Sequence, residues 1–407
     1  MLSTRSATAL YVGAVLGPGV LILPSLAAEA AGPASVLAWA GLLALSVPLA
    51  IAFAVLGVRH PEAGGTAAYA RAAFGRRAGT VTGWWFLAGV ALGAPAVAMV
   101  GGFYVAELLG AGREAAVVAA AGMIAAVVTA NARGVHTTAR LQLLLAGVLA
   151  ALLLVAVVSA LPESRAEHWT PFAPHGWGAV GTAASLLMLS FIGWEAVSHL
   201  AGELRDPAHQ LPRAIFAALA IVVVLYLGLA VAAIGVLGTA TPSDVPLADL
   251  MAAGLGPAGR TVTAGLAVLL TMGAMNAYVA ASVQLAGALA EDGSAPRLLG
   301  RPRAALGLFA CVGAVLLVPL AFDVVGVDGL VRATSAAFVA VYVAATAAGM
   351  RLLNGAARVS AGVAFVAVAV VLAFSGVYLV VPVIVAATAL ARRPRCPEVL
   401  QPSTAAG

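Results

Sequence analysis

Lysine is absent from the 407 residues, cysteine occurs twice, and charged residues make up 9% of the chain. Each shortage excludes a class of protein. A soluble domain carries about a quarter of its residues as charges, enough to cover its core. Here 21 Arg and 16 Asp plus Glu are all there is. A soluble enzyme, a secreted disulfide scaffold and a disordered tail are therefore excluded. The cysteines, Cys311 in an apolar run and Cys396 in a polar tail, suggest neither a disulfide pair nor a metal cluster. His136, His168, His175 and His209 are scattered without the spacing of metal ligands. The net charge of +5 does not read as nucleic-acid affinity, because the Arg residues sit at the ends of apolar runs.

What is present is apolar surface: 63% of the chain is hydrophobic, and Gly contributes a further 45 residues. That composition describes a polytopic membrane protein whose outside is as apolar as its inside. The first apolar run has no cleavage site and is followed by many more, so it reads as a span rather than a removed signal.

Charge-free runs long enough to span cover 8–28, 33–58, 78–106, 115–132, 141–162, 214–243, 261–290, 304–322, 333–350 and 359–391. A further run, 176–202, is interrupted by Glu195. As one helix, 359–391 would be about 50 Å long, too long for a ~30 Å hydrocarbon core. Two short helices hinged at Ser375 and Gly376 fit better and bring the expected total to twelve. With the N-terminus inside, 17 of the 21 Arg face the cytoplasm and Arg113, Arg165, Arg260 and Arg332 face outward. The bias places both termini inside. Segment 59–77 suggests a short amphipathic helix at the interface, with an ordinary loop as the equal alternative.

Two spans carry a disruption near their middle. In the first, Leu16-Gly17-Pro18-Gly19-Val20 combines permissive glycines with a proline that removes an N–H and clashes with the preceding turn. In the sixth, Ser190-Phe191-Ile192-Gly193-Trp194-Glu195 sets a glycine beside an intramembrane carboxylate, which is costly and therefore a functional candidate. The first span opens the chain, the sixth opens a second set of five, and they cross in opposite directions. Corresponding breaks in oppositely directed helices mark an inverted-repeat secondary transporter. Unwinding leaves N–H groups that attract a carboxylate and C=O groups that attract an ammonium. An α-amino acid carries both. With no Lys and no intramembrane Arg, a neutral, apolar amino acid is the expected substrate, and Glu195 the expected carrier or sensor of a proton.

Further motifs follow in order. They are Pro61-Glu62-Ala63-Gly64-Gly65-Thr66 with Tyr69 and Phe74; Asn131, Gly134 and Val135 with Gln142; Glu203, Asp206-Pro207 and Leu211-Pro212-Arg213; and Glu291-Asp292-Gly293-Ser294-Ala295-Pro296. With the two breaks, they make the chain resemble the amino acid–polyamine–organocation permeases over about 8–391. Gly83-Trp84, Pro95 and the run from Phe191 to Ala196 ending in His199-Leu200-Ala201 resemble the short bacterial exporters of methionine and branched-chain amino acids. The resemblance implies an all-α, LeuT-like fold. Its inverted five-helix repeats would cover 8–161 and 176–353, with an accessory helix pair at 357–391. It also implies a site between helices 1, 3, 6, 8 and 10, and a bacterial-type inner (plasma) membrane location. Methionine, leucine, isoleucine and valine as substrates, and export as the direction, come from this resemblance. The family often has Ser or Thr where Pro18 stands, so carboxylate binding here rests more on Gly19 and Val20. The charge-free helix 5 lacks the Lys that stands in for a sodium ion in some relatives.

Asn276 and Ser282 in helix 8, and Thr334 and Ser335 in helix 10, are possible pocket or ion contacts. Such residues more often bond a neighbouring helix or their own i−4 carbonyl. Trp84 and Trp85 read as interfacial anchors. No cofactor, metal or catalytic residue is expected; the partners are the amino acid, protons and the bilayer, without nucleic acid. A channel would need a continuous polar lining, and an intramembrane enzyme a nucleophile with its base. The runner-up reading is a proton-coupled importer or exchanger.

Overall fold

A computed structural model describes residues 3–60, 65–134, 138–195, 207–238, 243–322 and 324–391. The described chain is helical. Among these residues, nine helices are long and apolar enough to cross a membrane, and two shorter apolar helical segments, Gly178–Phe191 and Gly376–Ala391, accompany them. Pro61–Gly64, Val135, His199–Asp206 and the Arg-rich tail lie outside the described residues.

The first apolar run does not form one helix. Helix α1 (Thr4–Val15) starts on Ser3, whose side chain accepts from the Ser6 N–H, and ends two residues before Gly17. A 3-10 turn, Pro18–Leu21, follows, and α2 (Leu23–Ala31) resumes the path. Pro18 forces this break because it supplies no N–H and its ring excludes the preceding turn. Helix α3 (Ser35–Arg59) returns across the bundle.

Helix α4 (Gly65–Phe74) is short, and Thr66, Ala67, Ala68, Tyr69, Ala70 and Ala73 are buried. It packs into protein rather than lying on the surface. Small alanines permit that approach: a Cβ on Gly79 of α5 (Arg76–Leu109) would come within 3.0 Å of the Ala67 carbonyl. Helices α6 (Arg113–Ala132) and α7 (Ala139–Ala160) follow.

Helix α8 (Gly178–Leu187) passes into a 3-10 turn, Met188–Phe191, and then leaves helical geometry at Ile192. Helix α9 (Pro207–Ala232) follows. Helix α10 (Pro246–Glu291) is bent at Gly256, where φ is 72° and Pro257 restarts the helix. Helices α11 (Pro302–Ala321) and α12 (Val327–Leu352) come next. Helix α13 (Gly355–Ala373) is separated from α14 (Val380–Ala391) by a turn at Gly376, where φ is 56°.

Polar ties hold the helix ends. At one end, Arg71 of α4 pairs with Asp292, Arg76 donates to the Asp292 carbonyl, and the Trp84 indole donates to Ser294 O at 3.0 Å. Arg351 of α12 lies over the Phe74 ring there, 5.6 Å from its centroid. At the other end, Arg260 of α10 bridges Glu107 of α5 and Asp249. Trp85, expected as an anchor, donates to the Pro382 carbonyl at 2.7 Å and so ties α5 to α14.

Candidate functional site

The break after α1 and the end of helical geometry after α8 meet. A Cβ on Gly193 would lie 2.1 Å from the Ala14 carbonyl oxygen, so this glycine, at φ 135°, rests directly on the backbone at the end of α1. On the other side of the crossing, a Cβ on Gly19 would lie 3.0 Å from Ser190 Oγ. No side chain fits between the two unwound segments at Gly193.

Unwound backbone in an apolar bundle must find partners. Tyr226 of α9 supplies one: its hydroxyl lies 2.9 Å from the Val15 carbonyl and 3.1 Å from the Ser190 carbonyl, one oxygen from each break. Its ring is held edge-on against Trp39 and Phe191 at 5.2 and 5.4 Å. The Tyr104 hydroxyl donates to Leu21 O at 2.9 Å. The first N–H groups of a helical segment have no partner within it. In the Pro18 turn these are Gly19 and Val20, since Pro18 has none.

A cavity of about 60 Å³ lies beside this crossing. Its wall includes Gly17, Pro18 and Gly19, Gly89 and Gly93 of α5, Ile192, Met275 and Tyr278 of α10, and Thr334 and Phe338 of α12. Among the described residues, no charged side chain lines it. The glycines of α5 let the wall stand close: a Cβ on Gly89 would meet the Phe338 ring at 2.8 Å, and one on Gly93 the Thr334 methyl at 2.9 Å.

The expected site residues therefore divide. Gly17, Pro18, Gly19, Ile192 and Thr334 line the cavity. Leu16, Val20, Ser190 and Phe191 are buried beside it without lining it. Trp194 is fully buried and points at α3, its indole donating to Ser46 Oγ at 3.0 Å. Thr334 also bonds its own i−4 carbonyl, Leu330 O, at 2.8 Å. Ser335 donates to the Ser185 carbonyl, and Asn276 accepts from Asn131 Nδ2 at 2.6 Å. Ser282 Oγ is buried with no hydrogen-bond partner among the described residues.

Glu195 folds back on its own segment. Its Oε2 accepts from the Gly193 N–H at 2.9 Å and from the Tyr342 hydroxyl of α12. Tyr342, Tyr226, Tyr278 and the two α5 glycines escape a reading of the sequence. A tyrosine or glycine within an apolar run carries no mark of the direction it faces.

A membrane protein whose described residues are helical, and in which the helical paths of α1 and α8 both break off where they cross beside an apolar cavity, has the build of a secondary transporter. The amino acid permease family model matches residues 2–391. The chain is 34% identical to an uncharacterized amino acid permease, YecA, of Bacillus subtilis, over 93% of this chain and 92% of that protein. It is 31% identical to the L-methionine/branched-chain amino acid exporter YjeH of Escherichia coli, over 89% of this chain and 88% of that one. The crystal structure of MhsT in complex with L-phenylalanine superposes with a TM-score of 0.62 at 17% identity, covering 92% of this chain and 99% of MhsT. The chain belongs to the amino acid permease family. It is a membrane transporter and not an enzyme.

Proposed function

We propose that this permease moves neutral, apolar amino acids across the membrane by alternating access, and that methionine, leucine, isoleucine and valine are its substrates. One observation carries the reading: the backbone breaks at Gly17, Pro18 and Gly19 and at Ile192 border one cavity with no charged side chain in its wall among the described residues. The N–H groups of Gly19 and Val20 suit the carboxylate of an amino acid. Unwound carbonyls suit its ammonium. The apolar wall of Ile192, Met275 and Phe338 suits a hydrocarbon or thioether side chain, and an uncompensated charge there would be costly. Similarity to an exporter of methionine and branched-chain amino acids supports both the substrate range and the outward direction.

The proposed architecture is twelve spans: inverted repeats at 8–161 and 176–353, then a helix pair at 357–391. Both termini lie in the cytoplasm of a bacterial-type cell, as the Arg distribution favours. Glu195 couples transport to protons, because it sits on the discontinuous helix and shares its partners with the backbone break.

Counterflow tests the proposal. Proteoliposomes preloaded with unlabelled methionine should transiently concentrate labelled methionine, and leucine, isoleucine and valine should compete while arginine does not. Dissipation without overshoot would indicate a channel, and competition by arginine alone would refute the substrate range.

A further inference from the structure

A second cleft, of about 630 Å³, opens between the first turns of α1, α7 and α9. Its lining follows helical spacing on each wall. Arg5, Ala9 and Val12 come from α1; Leu143, Ala146 and Ala150 from α7; Arg213, Ala217 and Ile221 from α9. Each stripe runs from the N-terminal part of its helix toward the C-terminal end, so the three helices enter side by side with the two arginines at the mouth. Seven or eight residues at 1.5 Å each carry the cleft about 10–12 Å inward, most of a ~15 Å hydrocarbon leaflet. Small residues keep it open: Ala146, Gly147, Ala150 and Ala217 project little.

The chemistry is divided along this depth. Arg5 and Arg213 are both exposed, and among the described residues no acidic side chain lines the cleft. Two guanidiniums above an apolar slot match an amphiphile with an anionic head and a hydrocarbon tail. A zwitterionic lipid would set its own cation against them. A soluble anion would leave the apolar stripe unused.

We propose that this cleft binds an anionic phospholipid, its phosphate held by Arg5 and Arg213 and one acyl chain laid along Ala146, Ala150 and Ala217. The leaflet is the cytoplasmic one in the orientation proposed above, on which that single assignment rests. The site needs only the membrane fold, not the substrate. Because α1 ends at a break, a lipid wedged beside it sits against a segment that is covalently free to hinge.

Photolabelling in nanodiscs of phosphatidylcholine tests the site. A phosphatidylglycerol with a diazirine on its acyl chain is included at low mole fraction, and labelled peptides are mapped by mass spectrometry. Labelling should concentrate on 4–15, 143–150 and 213–221, and fall when unlabelled phosphatidylglycerol, but not phosphatidylcholine or inorganic phosphate, is added. Arg5→Gln with Arg213→Gln should cut this labelling by about tenfold or more, and the paired Lys substitutions should restore most of it. Ala217→Trp, which keeps both charges and fills the slot, should also abolish it. Equal labelling by a phosphatidylcholine probe, uniform labelling around the bundle, competition by inorganic phosphate, or indifference to both kinds of substitution would overturn the proposal. The readout is lipid contact, so a failure of amino-acid counterflow leaves it standing, and its own failure leaves the transport reading untouched.

Discussion

Tyr342 and Glu195, far apart in the chain, meet at the Gly193 amide, whose N–H lies 2.9 Å from Glu195 Oε2 and 3.1 Å from the Tyr342 hydroxyl oxygen. The phenol in turn donates to the carboxylate. A change in the charge of Glu195 therefore acts on the backbone of the discontinuous helix itself. Glu195→Gln keeps the shape and removes the ionisable proton. It should flatten the pH dependence of methionine transport in liposomes, while substrate exchange is at least partly kept. An unchanged pH profile at matched protein density would make Glu195 a structural hydrogen-bonding residue.

Tyr342→Phe removes the phenolic donor but leaves the ring that packs on Phe53 at 5.3 Å. Groups in one hydrogen-bonded network couple by roughly 0.5–3 kcal/mol. Transport by Tyr342→Phe should fall about tenfold, and the double variant with Glu195→Gln should be little worse than the poorer single one. Strictly additive losses in initial rate would show that the two side chains act separately.

Gly193→Ala tests the crossing of the broken helices. The residue stands at φ 135°, and a Cβ would be 2.1 Å from the Ala14 carbonyl oxygen, which is backbone and cannot rotate away. The unfavourable dihedral alone costs roughly 1–3 kcal/mol, and the clash adds to it. The expected result is loss of monodisperse protein in detergent or a fall in thermal midpoint. Gly17→Ala, where nothing lies within 4 Å of the added carbon, should leave that midpoint nearly unchanged.

The breaks were legible in the chain because Gly-Pro-Gly and an intramembrane glutamate are locally anomalous. The turn at Gly376 was legible because 359–391 is too long for one span. Facing direction was not. A water-soluble helix reveals its buried side by polarity, whereas a helix between protein and lipid is apolar all round. Hence Trp194 could be placed beside a break without showing that it turns to Ser46, and Tyr226 gave no sign that it bridges Val15 and Ser190. For the same reason segment 59–77 reads equally as an interfacial helix or a loop, although the alanines of α4 within it are buried.

Asp292 closes the tie between α10 and the α4–α5 corner, outside the membrane-spanning part. Burial pushes its carboxyl up. Hydrogen bonds from Ser294 and from Arg71 outweigh that, and the net shift is below the ordinary aspartate range. A carboxylate with a lowered pKa stabilises the fold above its unfolded value, and the contribution disappears as pH falls through the folded one. The tie should therefore be intact at neutral pH and fade only below about pH 4. Asp292→Asn should lower the thermal midpoint at pH 7, and the gap to the parent protein should narrow as the pH is lowered past that point. A gap that stayed constant would assign the loss to altered packing rather than charge.

Gly93 offers a test of what the cavity holds. An added Cβ would meet the Thr334 methyl at 2.9 Å. That methyl is poorly able to move, because Thr is stiff at χ1 and its hydroxyl is already bound to Leu330 O at 2.8 Å. The extra carbon of Gly93→Ala therefore takes space from the cavity rather than from the opposite wall. If the cavity receives the substrate side chain, large substrates should suffer more than small ones. One carbon in an apolar pocket is worth about 10–200-fold in discrimination. In counterflow competition, Gly93→Ala should weaken methionine and leucine by at least about tenfold relative to alanine. Gly89→Ala, set against the Phe338 ring at 2.8 Å, gives the same readout at the adjacent turn of α5. Equal weakening of large and small amino acids, with the protein monodisperse, would mean that Gly93 serves the packing of α5 on α12 and that the substrate side chain lies elsewhere.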